Sequence, residues 1–305
     1  MGLEAITICK MPGKGPEDVL PLPNGAFVTG LEDGRIILIN KDFASCSELV
    51  NTGGRPLGLE ICPSGELIIC DAEKGLLRFS FDSKKIENLS EKSDIDVPFC
   101  NNCAVSNSGA IFFSSSTARF KIGDSSKDVS EGIPSGVLLK WSPNGEIEKL
   151  MDGLYFANGV VLSPDEKFVL VAETGRARIS RYWLAGKLKG TRDVFCKNLP
   201  GLPDNINLGT DHLVWVAMVL SAAPIIWKIW AAPYFLRWLY ARAPKFVKGR
   251  QEKIIRIMAL DFHGEVKCEI SLESDKYDFV TSVRERNGYL CLGSINQESA
   301  ARINL

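Results

Sequence analysis

Two carboxylates and two carboxamides recur at one fixed position ahead of a turn, and together they could bind a metal ion. The turns separate short apolar runs, and their second residues are Gly25, Gly65, Gly109, Glu166, His212 and Gly288. Eight residues before these positions lie Glu17, Leu57, Asn101, Asn158, Asp204 and Val280. Oxygen donors suit Ca²⁺, which accepts about six to eight oxygen ligands with loose geometry, better than Zn²⁺, which prefers nitrogen and sulfur.

The chemistry expected of this set is metal-assisted hydrolysis. Four protein ligands, Glu17, Asn101, Asn158 and Asp204, would leave Ca²⁺ with positions for water or substrate. Asp204, or Glu17 beside it, could then attack the substrate or activate a water. Asn and Asp are also common at loop entries, which would explain any one of them alone. Four oxygen-bearing residues at the same distance ahead of their turns favour a shared site.

Four further polar residues could support this set. Asn102 and Asn205 directly follow two of the candidate ligands and could hold them in place or complete the coordination. Glu173 and Asp71 lie in later strands and could line the same channel. For these two carboxylates, a structural role is favoured over a catalytic one.

The elements that must position these residues form a repeat. Strand–turn–strand units cover residues 19–28, 59–70, 103–113, 160–171, 206–217 and 283–292. Six units of about four strands predict an all-β fold, a six-bladed β-propeller forming a single domain over residues 1–305. Residues 6–10 would close the ring against the last unit. Because innermost strands run along the central channel, residues of equivalent phase are expected to converge at one end of it.

Composition indicates a globular chain without a basic excess. The 305 residues are 45% hydrophobic and 24% charged, with a net charge of -1, which argues against nucleic acid as a partner. If Met1 is the natural start, no secretory signal is expected, and the location would be cytoplasmic or peripheral to a membrane. The nine cysteines are scattered through apolar runs, so most are expected to be reduced and buried. Cys100 and Cys103 form a Cys-x-x-Cys pair, for which packing is favoured and a disulfide remains open.

A hydrophobic insert interrupts the fifth unit between residues 219 and 250. Prolines and basic residues break every window of about 20 residues, so a membrane span is not expected. The segment instead predicts a helical excursion rich in Trp and Tyr, followed by Arg242, Lys245, Lys248 and Arg250. It could be a lid over the channel, or residues 219–248 could make peripheral contact with a membrane. A polar excursion over residues 117–134 is expected to form a mobile loop at the channel mouth.

Several segments in order resemble the strictosidine synthase-like proteins. They are residues 154–160, 163–166, 171–174, 181–184, 198–206, 280–285 and 293–294. The resemblance implies a six-bladed propeller in the wider group that includes paraoxonases, gluconolactonase/regucalcin and diisopropyl fluorophosphatase. Residues 100–104, Cys-Asn-Asn-Cys-Ala, are also similar to a fluorophosphatase stretch whose Asn binds the catalytic calcium. The group's pattern implies calcium ligation by Glu17, Asn101, Asn158 and Asp204, and Asn205 matches a further paraoxonase ligand.

Two departures from these relatives limit the chemistry. Strictosidine synthase uses a catalytic Glu preceded two residues earlier by a His, and the matching residues here are Thr281 and Phe279. Neither can serve as general acid or base, so the strictosidine-type condensation is disfavoured. The paraoxonase pair of histidines has no counterpart, because His212 and His263 both lie in turn-like, surface contexts.

The resulting expectation is a calcium-dependent hydrolase of small apolar esters, lactones or organophosphates, acting as a lactonase, arylesterase or phosphotriesterase. The alternative is a non-catalytic or membrane-associated propeller that binds a lipid-like ligand or a protein. A bond-forming synthase is retained only because the family carries that name.

Overall fold

The computed structural model describes residues 6–222, 224–244 and 253–305. Its strands form six antiparallel sheets of four strands each, which are the six blades. Blade 1 contains β2 (Val19–Pro21), β3 (Phe27–Gly30), β4 (Arg35–Ile39) and β5 (Cys46–Asn51); blade 2 contains β6 (Pro56–Ile61), β7 (Leu67–Asp71), β8 (Gly75–Phe79) and β9 (Ile86–Asn88); and blade 3 contains β10 (Cys100–Val105), β11 (Ile111–Ser115), β12 (Gly136–Trp141) and β13 (Ile147–Leu154).

The other three blades repeat this order. Blade 4 contains β14 (Ala157–Leu162), β15 (Phe168–Glu173), β16 (Arg178–Trp183) and β17 (Arg192–Cys196); blade 5 contains β18 (Gly201–Leu208), β19 (Val214–Ser221), β20 (Ile254–Leu260) and β21 (Val266–Glu273); and blade 6 contains β22 (Ser282–Arg286), β23 (Tyr289–Gly293), β24 (Ser299–Asn304) and the N-terminal β1 (Thr7–Lys10). The prediction of an all-β, six-bladed propeller is confirmed.

The ring is closed by pairing the two ends of the described chain. Strand β1 runs antiparallel to β24, with Thr7 opposite Arg302 and Lys10 opposite Ser299. The last sheet therefore takes its outermost strand from the N-terminal region, as the sequence predicted. Closure of this kind removes the unpaired edge that β24 would otherwise present.

The repeat is visible in the backbone of the six turns. All six turn residues used to align the units have a left-handed φ: 88° at Gly25, 89° at Gly65, 81° at Gly109, 52° at Glu166, 60° at His212 and 83° at Gly288. Four of the six are glycine, which enters this region without steric cost. The six turns therefore have equivalent geometry. Counting back eight residues from each of these turn residues reaches equivalent positions in the six blades.

The core consists of apolar layers between neighbouring blades. Between blades 4 and 5, for example, Leu170, Ile179, Ile206 and Val216 are completely buried in one cluster. Most strands near the channel are buried on both faces, so they read as continuous apolar runs rather than as alternating ones. Removing this apolar surface from water is the main force that holds adjacent blades together.

Within the residues described, α-helices occur only in connections between the second and third strands of blades. Helix α1 (Ser125–Glu131) connects β11 to β12, and α2 (Pro224–Ala231) and α3 (Tyr234–Ala241) connect β19 to β20. The helical insert in blade 5 is thus confirmed, and the predicted loop over 117–134 contains α1. Lys245, Lys248 and Arg250 lie outside the described residues. Within the described ranges, no helix combines the length and apolarity needed to cross a membrane.

Candidate metal site

Bulges in the inner strands place the candidate ligands. Asn101, Asn158 and Asp204 lie in β10, β14 and β18, each within a shift of register between that strand and the second strand of its blade. A bulge leaves residues outside the regular ladder and turns their side chains in a new direction. Glu17 directly precedes the first blade's inner strand. All four side chains therefore enter the channel at the end where the inner strands begin.

Glycines let the inner strands approach one another at this level. A Cβ on Gly159 would lie 2.1 Å from the Ile206 nitrogen, and one on Gly58 would lie 2.6 Å from Asn102 Nδ2. Real Cβ contacts are not this short, so only glycine fits at either position. The close approach brings the ligands of neighbouring blades together.

Unsatisfied oxygen atoms identify the site. Five buried side-chain oxygens among the described residues have no hydrogen-bond partner, and four of them belong to Glu17 (Oε2), Asn101 (Oδ1), Asn158 (Oδ1) and Asn205 (Oδ1). Each unsatisfied buried polar atom costs about 1–3 kcal/mol. Their concentration at one end of the channel indicates that they are arranged for a ligand that these oxygens can bind.

The amide orientations follow from the hydroxyl groups behind them. Asn158 Nδ2 donates to Thr174 Oγ1 (3.3 Å), whose own proton is donated to the Pro203 carbonyl oxygen (2.7 Å). Asn101 Nδ2 donates in the same way to Ser116 Oγ (2.9 Å). The Asn158 amide also donates to the Asp204 carboxylate. Both amide nitrogens are thus occupied, and the oxygens Asn101 Oδ1 and Asn158 Oδ1 are left without a partner.

The two carboxyls are buried in one environment. Glu17 and Asp204 are 3% and 9% exposed. Burial, followed by the charge of Asp204, holds the pKa of Glu17 well above its usual range, and burial raises the pKa of Asp204 to about 7. Asn205 Nδ2 donates to Glu17 Oε1 (2.7 Å). Two ionised carboxylates here need positive charge, which a divalent cation would supply.

The donor set fits Ca²⁺. It contains two carboxylates and three amide oxygens, all hard ligands. No group of three or more His, Cys, Asp or Glu side chains positioned for a metal occurs among residues 6–222, 224–244 and 253–305. The amides would therefore have to supply the remaining coordination, which Ca²⁺ accepts and Zn²⁺ does not favour.

The structure separates the two asparagines that the sequence treated alike. Asn205 contributes one of the unsatisfied oxygens and also holds Glu17. Asn102 instead accepts a hydrogen bond from the Val160 nitrogen through Oδ1 (2.9 Å), so its oxygen ties blade 3 to blade 4. Asn205 belongs with the candidate ligands, whereas Asn102 supports the strand that carries Asn158.

Asp71 and Glu173 are occupied by structural contacts. Asp71 Oδ1 accepts from the Arg55 nitrogen (2.9 Å), and its Oδ2 accepts from Thr52 Oγ1 (2.7 Å). Glu173 binds Arg178 through Oε1 (2.7 Å) and accepts from the Tyr155 nitrogen through Oε2 (3.0 Å). Both carboxylates organise loops at the site end of their blades, as the favoured structural interpretation expected.

Arg55 is a candidate functional residue that the sequence reasoning missed. Its side chain is buried, and burial lowers its pKa, whereas the charge of Glu17 acts in the opposite direction. Its Nη2 lies against Gly15, where a Cβ would approach it to 2.9 Å. Arg55 lies two residues before Leu57, the blade 2 position that lacks an oxygen. A search two residues ahead of each ligand position would have found this cation.

Thr281 contacts the site in a different role from a catalytic carboxylate. Its Oγ1 donates to the Glu17 carbonyl oxygen (2.8 Å) and thereby links blade 6 to the segment that carries Glu17. The two histidines are exposed, in turns away from these ligands. All nine cysteines are free, and Cys100 and Cys103 are buried beside Cys70 in the core. Packing thus accounts for the Cys-x-x-Cys pair.

An apolar wall lies at the same end of the channel. Leu57, Ala72, Phe99 and Phe156 form one buried cluster, with the rings of the two phenylalanines 5.7 Å apart in an edge-on arrangement. The partly buried Val129 of helix α1 packs against them. Phe99 and Phe156 each precede a candidate ligand by two residues, so the oxygen set and the apolar wall are neighbours.

The open cavity at the opposite mouth does not contain the ligand set. It measures about 280 Å³ and is lined by the far ends of inner strands, including Ile61, Val105, Leu162 and Leu208. Arg284, on its wall, binds Asp18, the residue after Glu17. Unsatisfied oxygens and burial, rather than cavity volume, therefore mark the candidate site at the other end.

Solved structures share the fold across nearly the whole chain. A gluconolactonase from Xanthomonas campestris superposes with a TM-score of 0.71 at 13% identity, covering 98% of this chain and 89% of the other. A calcium-binding regucalcin from Agrobacterium tumefaciens gives a TM-score of 0.64 at 12% identity, covering 96% and 93%. At these identities the likeness establishes the propeller alone.

Sequence comparison identifies the family. The model described as strictosidine synthase matches residues 101–187, and that described as strictosidine synthase-like, N-terminal, matches residues 1–39. STRICTOSIDINE SYNTHASE-LIKE 6 of Arabidopsis thaliana is 36% identical over 301 residues, covering 95% of this chain and 79% of that protein. Adipocyte plasma membrane-associated protein of Gallus gallus is 32% identical over 321 residues, covering 95% and 75%. The chain belongs to the strictosidine synthase-like family.

Proposed function

We propose that this protein is a calcium-dependent hydrolase of small apolar esters, lactones or phosphotriesters. The observation that carries the proposal is the group of buried, unsatisfied oxygens at one end of the channel. Glu17, Asn101, Asn158, Asp204 and Asn205 would hold the ion. The fold is shared with gluconolactonases, which supports hydrolysis as the reaction class.

Bound calcium would supply Lewis-acid polarisation of a carbonyl or phosphoryl oxygen. Asp204 would attack the carbonyl carbon or the phosphorus atom of the substrate, or take a proton from the water that attacks this atom. Burial raises the pKa of Asp204, and a bound cation would lower it again, so that Asp204 would be ionised and able to act as nucleophile or base. Asn205 and Thr281 hold the side chain and the carbonyl of Glu17 and so keep the opposing carboxylate in place.

Arg55 and the apolar wall support the substrate class. A buried guanidinium beside the site stabilises negative charge that develops on a substrate oxygen. Leu57, Phe99 and Phe156 place buried apolar side chains next to the candidate ligands, which favours an apolar substrate. This combination of a few polar groups with an apolar wall is typical of sites for small apolar molecules.

Strictosidine-type condensation remains disfavoured. That reaction needs a general acid or base at the position of Thr281, and a threonine hydroxyl does not titrate near neutral pH. The hydroxyl is moreover donated to the Glu17 carbonyl oxygen. Membership in the family therefore does not bring its name-giving reaction with it.

Metal analysis combined with an activity panel tests the proposal. The purified protein should contain calcium and hydrolyse at least one lactone, aryl ester or phosphotriester, and chelation should abolish the activity. Glu17→Gln and Asp204→Asn should each lower kcat by about 10²-fold or more, in line with the loss of a positioned carboxylate. Asp193→Asn, which alters an exposed carboxylate paired with Arg181, is the matched control and should keep full activity.

The outcomes separate the hypotheses. Activity that survives both substitutions and chelation would contradict the metal mechanism. Bound calcium without turnover of any substrate would instead favour a non-catalytic propeller that binds a lipid-like ligand or a protein. This second function is retained because helices α2 and α3 of blade 5 expose large apolar side chains.

A further inference from the structure

Helices α2 and α3 expose an unusual amount of apolar side-chain surface. Phe235 is 61% exposed, Leu239 54% and Ile225 52%. We call the exposed apolar side chains of these two helices the insert face, and it consists of Ile225, Trp227, Tyr234, Phe235, Leu236, Trp238 and Leu239. Seven of the thirteen large hydrophobic residues exposed among the described residues thus lie on 16 residues of helix. Exposed apolar side chains concentrated in this way indicate an interaction site.

The opposite side of the two helices is firmly packed. Trp230 Nε1 donates to the Val129 carbonyl oxygen of α1 (2.9 Å). Tyr234 belongs to the insert face with 43% of its surface exposed, but its Oη also donates to Glu131 (3.2 Å). Arg242 binds the same carboxylate (2.6 Å). Ile226 packs against the core cluster of blades 4 and 5. The insert face is therefore held in position by these contacts, with its apolar side chains directed outwards.

The charge around the insert face is positive. The sequence contains no Asp or Glu between Asp211 and Glu252. Lys228 is exposed between the apolar residues of α2 and forms no ion pair with any residue that the structure describes. The nearest contacting carboxylate, Glu131, has a fully buried side chain that already binds Arg119 and Arg242. Lys228 therefore has no carboxylate within ion-pair distance among residues 6–222, 224–244 and 253–305.

Composition and helix length together point to one occupant. Indole and phenol rings prefer the boundary between lipid headgroups and hydrocarbon, and cations prefer anionic headgroups. Two helices of eight residues each, separated at Pro233, are far too short to span a bilayer but suit a position in its interface. Aromatic side chains are also enriched at protein interfaces, where lysine is depleted, so the exposed Lys228 among the apolar side chains favours an anionic lipid surface.

We propose that the insert face docks onto the surface of an anionic lipid bilayer. Phe235, Leu239 and the neighbouring aromatic residues enter the boundary of the acyl chains, while Lys228 contacts anionic headgroups. The docking goes beyond the proposed hydrolysis and does not depend on it.

The topology sets the orientation of the docked protein. The connection that carries α2 and α3 joins the second and third strands of blade 5, so it leaves the blade at the end where the inner strand begins. Glu17, Asn101 and Asp204 enter the channel at this same end. Docking therefore brings the site end of blade 5 close to the lipid. If the proposed hydrolase activity holds, on which this last step rests, apolar substrates dissolved in the bilayer would reach the site directly.

Vesicle co-sedimentation of the full chain tests the docking without any substrate. Vesicles of phosphatidylcholine alone and of phosphatidylcholine with phosphatidylserine are compared at low and moderate salt. The protein should bind the phosphatidylserine vesicles, and binding should weaken as salt rises. The double variant Phe235→Ser/Leu239→Ser should bind at least about tenfold more weakly, since both side chains are exposed and their loss leaves the core intact. Lys228→Glu should weaken binding at least about fivefold, and only to the anionic vesicles.

A matched control removes apolar surface elsewhere. Leu188→Ser/Val266→Ser alters two residues of similar exposure, 48% and 52%, outside the insert face, and should bind like the unaltered protein. Melting temperatures of all variants check that the fold is intact. Failure of the unaltered protein to bind anionic vesicles overturns the proposal, as does unchanged binding by the Phe235→Ser/Leu239→Ser variant. An oligomer in lipid-free solution that dissociates in that variant, without vesicle binding, overturns it in favour of self-association.

Soluble-substrate hydrolysis provides an independent readout. The Phe235→Ser/Leu239→Ser variant keeps every candidate ligand, so its turnover of a water-soluble ester should match that of the unaltered protein. Loss of vesicle binding with turnover retained supports the docking. Vesicle binding without any turnover also supports it and counts only against the hydrolase. The two proposals can therefore fail separately.

Discussion

Glu17 is buried at a cost in the metal-free protein. Its Oε2 has no hydrogen-bond partner, and the charge of Asp204 adds repulsion to the loss of solvation. Asn101, Asn158 and Asn205 add further unpaired oxygens. A protein selected only for stability would not keep four such atoms together. Destabilising groups of this kind are typical of functional sites, where ligand binding offsets the cost.

Replacing Glu17 should therefore raise the melting temperature of the calcium-free protein and reduce the further rise that added calcium produces. Near pH 8, Glu17→Gln should raise the melting temperature of the calcium-free protein by a few degrees, on the order of 1–3 kcal/mol, because it removes a carboxyl whose ionisation burial and Asp204 disfavour. It should also reduce the further rise on adding calcium, since one ligand charge is lost. Thermal scans in chelator and in excess calcium measure both effects. A calcium-free variant less stable than the unaltered protein would contradict this account, and Asp193→Asn is the control.

Inner strands β10, β14 and β18 position three of the candidate ligands through bulges and close contacts. Each shifts register where its ligand lies, so an Asn or Asp side chain leaves the ladder and turns into the channel. Gly159 then allows β14 to approach β18, because there is no space for a Cβ beside the Ile206 nitrogen. The geometry of the site is thus a property of strand packing rather than of a flexible loop.

A methyl group at Gly159 should disturb both fold and site. Gly159→Ala places a Cβ 2.1 Å from a backbone nitrogen of the next blade, so the strands must separate. We expect a loss of unfolding free energy of at least about 1–3 kcal/mol and weaker calcium binding. Gly123→Ala is the control, because its added Cβ would meet nothing within 4 Å. Urea unfolding and calcium titration measure the two effects, and equal behaviour of both variants would refute the strand-packing explanation.

Ring closure unites residues from both ends of the chain. Besides the pairing of β1 with β24, Arg284 of blade 6 binds Asp18 of blade 1 (2.8 Å) and Glu60 of blade 2 (3.1 Å). Asp18 also accepts from Ser282 Oγ (2.6 Å) and from the Leu59 nitrogen (3.1 Å). This buried network holds three blades together directly behind Glu17. It therefore supports the whole ring and the site at once.

Breaking the network at Asp18 should destabilise the whole molecule. Asp18→Asn leaves the buried Arg284 without its main counter-charge, and we expect a loss of about 3–5 kcal/mol of unfolding free energy. Glu87→Gln, which breaks the more exposed ion pair with Arg78, should cost at most about 1 kcal/mol. Urea unfolding of both variants gives the comparison. If the two losses are equal, Asp18 does not hold the ring as described.

The architecture could be predicted from the sequence alone because each blade repeats the same spacing of turn residues and apolar runs. Turn residues with left-handed backbone recur in one phase, and Gly25, Gly65 and Glu166 mark that phase without knowledge of the fold. Residues eight positions earlier included all four predicted ligands, whose metal binding remains to be measured. The closing strand was predicted by the same reasoning, since the first apolar segment lay outside the first unit.

Tertiary structure alone decided which polar atoms are free. Asn102 and Asn205 follow candidate ligands in the same way, yet only Asn205 leaves its oxygen unpaired, because Val160 of the next blade occupies that of Asn102. Arg55 became visible only where blade 2 meets the segment before Glu17. The exposed side of α2 and α3 also depended on how α1 packs beneath them. Residue types and spacing set what each side chain can bind, but contacts between distant blades determine which of its atoms remain available.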